Sequence, residues 1–135
     1  MVIPMDFDGR WKGPRNMGTA TLGTAWGDIG TAIGVGGARW ARTFLSMQIH
    51  AGTGVRFRMM GQYASAGSAF ELIAHQAGTG IVTVDGLTYQ LTQDADQFVS
   101  LKWNLDGGVP FVKLQGMISG GSATYVSDAR LVTSI

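Results

Sequence analysis

The sequence predicts an all-β fold: an antiparallel jelly roll or β-sandwich of eight to nine strands with an extended N-terminal arm. From Arg42 onward, short runs of alternating apolar and polar residues are separated by clusters of glycine. This pattern is typical of strands joined by tight turns. Glutamate occurs once and lysine three times in 135 residues, which argues against exposed helices because these residues build most helix surfaces. The five clearest runs span residues 43–51, 55–63, 70–77, 98–105 and 111–119.

Residues 1–16 are predicted to form the arm. Five charged residues and two prolines fall here, and no alternation is visible. A segment of this composition is disordered alone or ordered against a neighbour. Trp11 lies within it, and two explanations stay open for that indole. It docks on a partner, or the arm folds back and Trp11 covers the core of its own domain.

Residues 17–41 form a glycine-rich lead-in to a single sandwich domain that we expect to occupy 17–135. Residues 19–25 and 31–35 have the composition of short strands. Glycine weakens a strand and often marks a bulge or a close approach of two backbones. Part of the lead-in is therefore expected to be ordered loop.

The later runs indicate which side chains face the core. Alternate residues of a strand share a face, so Val55, Phe57 and Met59 point one way and Arg56 and Arg58 the other. The same reasoning places a second set inward, on the last two clear runs: Val99, Leu101, Trp103, Leu105, Val112 and Leu114.

The turns complete the strand count. Residues 81–84 and 87–91 flank Asp85-Gly86, a pair that favours the type I′ turn of a β-hairpin. A second turn precedes Pro110, a residue tolerated at the start of a strand or on a sheet edge. No segment predicts a helix, and the total is eight or nine strands.

Composition restricts the partners. The formal net charge is +1, so long-range attraction to nucleic acid or to an anionic membrane is not encoded. The absence of cysteine excludes a disulfide framework and a cysteine-ligated metal. Charged residues make up 14% of the chain, against roughly 25% in typical domains. This predicts a surface partly covered by a partner, with a Thr/Ser-rich β surface as the alternative.

The residues available for catalysis are few, and we expect no enzyme and no cofactor. His50 and His75 are the only histidines and lie in different runs, which favours ordinary sheet residues over a zinc pair. Asp94 and Asp96 have the spacing of paired acids, but the neighbouring ligands of a calcium loop are missing. A solvated turn is the simpler interpretation.

Aromatic and basic residues suggest two kinds of binding surface. Arg39, Arg42, Arg56 and Arg58, with Trp40 and Phe57, have the composition of a single-strand nucleic-acid surface. The polar face of a strand, or pairing with acids of a partner, explains the arginines more simply, so no nucleic-acid partner is predicted. A carbohydrate-binding module would need exposed aromatic rings, and the candidates are Trp26, Trp40 and Tyr63.

The segment from Asp28 to Gly36, Asp-Ile-Gly-Thr-Ala-Ile-Gly-Val-Gly, is followed by Trp40 and the run 44–50. It resembles the stretch after the N-terminal arm in small tailed-phage capsid decoration (cement) proteins. The C-terminal half is similar in layout, with runs at 98–105 and 111–118, a Gly-Gly break and a final strand ending at Val132. The resemblance covers residues 28–134. Residues 1–27 depart from the family pattern in their higher charge and in their aromatic residues Phe7, Trp11 and Trp26.

The resemblance implies a jelly-roll homotrimer on the outer surface of an icosahedral capsid, assembled in the host cytoplasm, that braces neighbouring major capsid subunits. Neither a membrane nor a cofactor enters this role. A carbohydrate- or receptor-binding module is the alternative. The residues expected to contact the capsid are Phe7, Arg10, Trp11, Lys12, Arg15, Trp26 and Asp28, and those expected on a trimer or partner face are Arg56 and Arg58.

Overall fold

The computed structural model describes residues 11–50, 53–64, 70–72, 82–84, 88–91, 95–105 and 109–134. These residues form eleven β-strands in two sheets, and none of them is helical. The strands are β1 (Trp11–Asn16), β2 (Ala20–Leu22), β3 (Gly27–Gly34), β4 (Trp40–Ile49), β5 (Val55–Gln62), β6 (Phe70–Leu72), β7 (Val82–Val84), β8 (Thr88–Leu91), β9 (Ala95–Asn104), β10 (Phe111–Ile118) and β11 (Thr124–Ser134).

The two sheets have simple antiparallel orders. The first sheet runs β1-β11-β4-β9, and β2 continues the β1 edge along β11. The second sheet runs β3-β10-β5-β8-β7, and the short β6 also pairs with β5. The predicted pairing of β7 with β8 as a hairpin is confirmed, but Val84 pairs with Thr88, so three residues rather than the predicted two separate the paired ends. Residues 85–87 lie outside the described residues.

Eight of the strands form a jelly roll, which confirms the predicted fold class. Strands β2, β3, β4 and β5 pair in turn with β11, β10, β9 and β8. The chain is thus one long antiparallel ribbon. Successive pairs of the ribbon alternate between the two sheets, and β4 joins β11 while β5 joins β10. The remaining strands, β1, β6 and β7, are additions to this framework.

The core lies between the sheets and is built by alternation. Every second residue of β4, β5 and β10 is buried, and so is every second residue from Val99 to Trp103 in β9, because alternate side chains of a strand point to opposite faces. The inward residues predicted from sequence are confirmed: Val55, Phe57, Met59, Val99, Leu101, Trp103, Leu105, Val112 and Leu114 are all at most 8% exposed.

A bulge in β11 interrupts this alternation. The register with β4 shifts between Val126 and Asp128, which leaves one extra residue on β11. Val126 and Ala129, three residues apart, are therefore both fully buried. As a result Tyr125 and Arg130, which a regular strand would turn to opposite faces, both lie on the outer side of the sheet.

The boundary predicted for the arm needs correction. From Trp11 onward the chain is not a free arm but strand β1, which pairs with β11 at the edge of the first sheet. The register shifts between Lys12 and Arg15, where the peptide bond before Pro14 is cis. This irregularity hides the alternation that identifies the other strands. Residues 1–10 lie outside the described residues.

The lead-in segment is also more regular than predicted. It contains β2 and the eight-residue β3, an edge strand of the second sheet. Gly30 in β3 has a φ of +75°, and its α-carbon lies so close to the Met17 carbonyl that a β-carbon would overlap it. Met17 in turn donates its backbone N–H to the Ala129 carbonyl at 2.7 Å. Glycine here permits the edges of the two sheets to approach closely.

Candidate functional site

The residues predicted to bind a partner separate into two groups. Lys12 and Arg15 on β1 lie in one groove together with residues 34–38 of the lead-in. Trp26, Asp28 and Arg58 lie together on the outer face of the second sheet. Trp11 starts β1, while Phe7 and Arg10 are outside the described residues.

The first group lines a groove at the open side of the sandwich, between the edge strands β1 and β3. This side groove has a volume of about 320 Å³. Its lining consists of Lys12, Arg15, Gly34, Val35, Gly36, Gly37, Ala38, Thr133 and Ser134.

The register of β1 explains why its two cations point into the side groove. Lys12 pairs with Thr133 and Arg15 with Leu131, both inward-facing residues of β11, so their side chains reach over the opening between the sheets. Arg15 Nη1 donates to the Gly34 carbonyl at 2.8 Å. Arg15 Nε is buried and has no hydrogen-bond partner among the described residues. The groove thus has one basic wall that also ties the two sheets together.

The opposite wall of the side groove is glycine. A β-carbon added at Gly36 or Gly37 would meet no atom within 4 Å. Both residues are exposed, and the φ of Gly37 is +82°. This wall is open surface rather than packed interior. A partner's main chain can approach it closely because no side chain stands in the way.

The second group is a hydrogen-bonded cluster across β3, β10 and β5. Gln115 Nε2 donates to Asp28 Oδ1 at 2.8 Å, and Arg58 Nε donates to Gln115 Oε1 at 2.9 Å. Lys113 Nζ lies 3.2 Å from Asp28 Oδ2. The Arg58 guanidinium carbon stands 4.2 Å from the centre of the Trp26 ring. These side chains satisfy one another's hydrogen-bonding groups and charges, so the cluster stabilises the outer face of the second sheet.

The electrostatics of the cluster follow from these contacts. The hydrogen bond from Gln115, together with the bond and positive charge of Lys113, holds the pKa of Asp28 below its usual value, against a smaller opposing effect of burial. Partial burial lowers the pKa of Arg58. A guanidinium nevertheless remains protonated at neutral pH.

A third feature, a groove on the outer face of the first sheet, was not predicted from the sequence. Phe98 on β9 and Tyr125 on β11 are 71% and 53% exposed. They flank a groove of about 560 Å³, here called the aromatic groove. Its lining is Ser46, Met47, Gln48, His50, Gln97, Phe98, Ala123, Tyr125 and Ser127.

The sequence alone gives incomplete information on the two aromatic residues, Phe98 and Tyr125, that flank this groove. The alternation of its run already placed Phe98 opposite the inward residues. The bulge in β11 concealed the orientation of Tyr125. The proximity of the two rings also depends on β4 lying between β9 and β11, a pairing that local pattern does not reveal.

The aromatic residues predicted for carbohydrate binding are placed differently. Trp26 carries Arg58 against its ring, and the Lys102 ammonium lies 4.4 Å from the centre of the Trp40 ring. One cation therefore already occupies a face of each indole. Tyr63 is 61% exposed but follows the end of β5, apart from the other two.

The candidate catalytic residues do not assemble in the described part of the chain. His50 is exposed at the rim of the aromatic groove, and Asp96 contributes to β9. His75 and Asp94 lie outside the described residues. Where side chains are described, no three His, Cys, Asp or Glu residues are grouped as metal ligands would be. The same residues include no helix long and apolar enough to cross a membrane.

Comparisons with known proteins assign no family to the chain. No family model and no curated protein matches the chain. Among solved structures, similarity is found to the CBM22-1–GH10 modules of the N-terminal part of endo-1,4-β-D-xylanase 10B from Clostridium thermocellum, crystallised with xylohexaose. The TM-score is 0.44 at 10% identity, and the match covers 77% of this chain but only 19% of that one. A similarity at this level carries no argument about function.

Proposed function

We propose that this chain is a structural virion protein that binds the outside of an icosahedral capsid as a homotrimer and stabilises contacts between major capsid subunits. Its place would be the outer capsid surface. The resemblance of residues 28–134 to capsid decoration proteins supports this role. So does the low charged fraction of 14%, which suits a surface that a partner covers.

The side groove is the observation that carries the proposal. It brings Lys12 and Arg15 of β1, two of the residues predicted to contact the capsid, against residues 34–38 of the glycine-rich lead-in. Lys12 is exposed there, and Arg15 commits only one observed bond to Gly34 although a guanidinium carries five N–H donors. A carboxylate on a loop of the major capsid protein is the natural ligand for this pair.

The glycine wall adds a steric argument. Gly36 and Gly37 leave room for a capsid loop to lie against the lead-in while its acidic side chain reaches the basic wall. Each such contact is weak, because exposed ion pairs contribute only about 0–1 kcal/mol. A trimer compensates for this weakness, since three linked copies engage the lattice together and gain avidity.

Charge reversal tests the groove directly. Lys12→Glu should weaken co-sedimentation with shells of the major capsid protein of the same virus by roughly tenfold, because the new carboxylate repels the acidic ligand. Arg130→Glu is the matched control. It makes the same change of charge at an exposed arginine on the outer face of the first sheet, and shell binding should not change.

Two measurements can contradict the proposal. If Lys12→Glu and Arg130→Glu bind the shells equally well, the side groove is not the contact. Native mass spectrometry should show a trimer. A strict monomer that also fails to bind shells or capsomers would rule out the decoration role altogether.

A further inference from the structure

We propose that the aromatic groove on the outer face of the first sheet is a binding site for a neutral oligosaccharide. The inference goes beyond capsid attachment. The aromatic groove and the side groove share no lining residue, so either function can hold without the other.

The walls of the groove suit the apolar faces of sugar rings. Tyr125 on β11 and Phe98 on β9 stand on either side of β4, so the two walls are two interstrand spacings apart, about 10 Å measured across the sheet. Phe98 is held in place by Phe44, whose ring stacks on it with centroids 6.3 Å apart at an interplanar angle of 25°. A ring supported in this way loses little freedom when a ligand stacks on its open face.

The floor of the groove suits hydroxyl groups. Gln48, exposed on the same face of β4 as Ser46, brings a planar amide with two N–H donors and a carbonyl acceptor. Ser46 and Ser127 lie between the walls, and the Ser127 hydroxyl donates to the Ser46 carbonyl at 3.1 Å. Because serine side chains are small, they leave open space between the two aromatic walls. Uncharged donors and acceptors beneath exposed rings match a ligand whose surface alternates hydroxyls with C–H faces.

Charge decides the class of ligand. The nine lining residues in the described part of the chain include no Lys, Arg, Asp or Glu. A nucleic acid or an anionic glycan would require cations in the groove. Arg130, the nearest basic residue on that face of β11, is already paired with Asp128 at 3.0 Å. A neutral saccharide needs no counter-charge.

The test is calorimetric titration of the intact protein with maltohexaose, cellohexaose, xylohexaose and mannohexaose, and with polygalacturonate as the anionic probe. At least one neutral oligosaccharide should bind, and more tightly than polygalacturonate. Tyr125→Ala should weaken that binding by about tenfold or more. Gln48→Ala should weaken it about fivefold, the equivalent of one hydrogen bond.

Tyr63→Ala is the matched control, because Tyr63 is as exposed as Tyr125 but lies outside the groove. It should leave binding unchanged. All three variants change exposed side chains, so an unaltered thermal midpoint will show that they fold. Four results overturn the proposal: no neutral oligosaccharide binds, polygalacturonate binds best, binding survives Tyr125→Ala, or binding is lost equally in Tyr63→Ala.

Discussion

Replacing Gly30 by alanine tests whether the close approach of the two sheet edges stabilises the sandwich. The backbone of Gly30 has a φ of +75°, which costs a residue with a β-carbon about 1–2 kcal/mol. The new methyl would also overlap the Met17 carbonyl, a backbone atom that no change of rotamer can move. Displacing Met17 would strain its 2.7 Å hydrogen bond to Ala129, worth about 0.5–1.5 kcal/mol. The two costs add to a loss of about 1.5–3.5 kcal/mol in the free energy of unfolding.

Gly27→Ala provides the control in the same strand. A β-carbon at Gly27 meets no atom within 4 Å, and its φ lies outside the left-handed region. Alanine there should be neutral or should stabilise by about 0.4–1 kcal/mol, because it restricts the unfolded chain. Both variants are compared by urea unfolding followed by tryptophan fluorescence, with attention to the slope m. Equal stability of the two variants would refute the assigned role of Gly30.

Two further predictions concern the core and the polar cluster. Trp103→Phe should lower the free energy of unfolding by about 2–4 kcal/mol, because it removes the 3.1 Å hydrogen bond from the indole Nε1 to Thr43 Oγ1 and leaves that buried hydroxyl unpaired. Adding Thr43→Val to this variant should recover about 1 kcal/mol, and a further loss of stability would contradict the explanation. Asp28→Asn should cost less than about 1 kcal/mol at pH 7, since the carboxylate is half exposed. Because folding lowers the pKa of Asp28, the carboxylate stabilises the folded state at pH values above its ordinary pKa of 3.8, and this stabilisation is lost as the pH falls below that value. Urea unfolding should therefore show a smaller difference in stability between the wild type and Asp28→Asn at about pH 3 than at pH 7. A larger difference in acid would be inconsistent with this.

The strands were predictable because burial on one face imposes a period of two on the sequence. The period is unbroken in β10, from Val55 to Gly61 in β5 and from Phe98 to Asn104 in β9, and the inward residues read from it are the buried ones. Where a strand is irregular the period fails. The bulge between Val126 and Asp128 reverses the phase of β11, and the irregularity beside Pro14 makes β1 look like an arm.

The candidate sites were predictable only in part, since each depends on strands distant in sequence. The sequence pointed to Lys12, Arg15 and the lead-in as contact residues, but their meeting in one groove requires β1 and β3 to lie on the same side of the sandwich. The pairing of Asp28 with Gln115 spans 87 residues. Local pattern holds no information about such partners, because long-range pairing is decided by the packing of the whole sandwich.

The ribbon of paired strands has a consequence for how the chain reaches its fold during synthesis. Its centre, the β7–β8 hairpin, is local, but each outer pair joins strands farther apart, ending with β2 against β11. Contacts of such long separation make folding slow. Because β11 lies between β1 and β4, the first sheet cannot close until its last strand has left the ribosome. A nascent chain stalled before Thr124 would expose the edge of β4 to solvent and to other chains, so premature termination favours aggregation over partial folding.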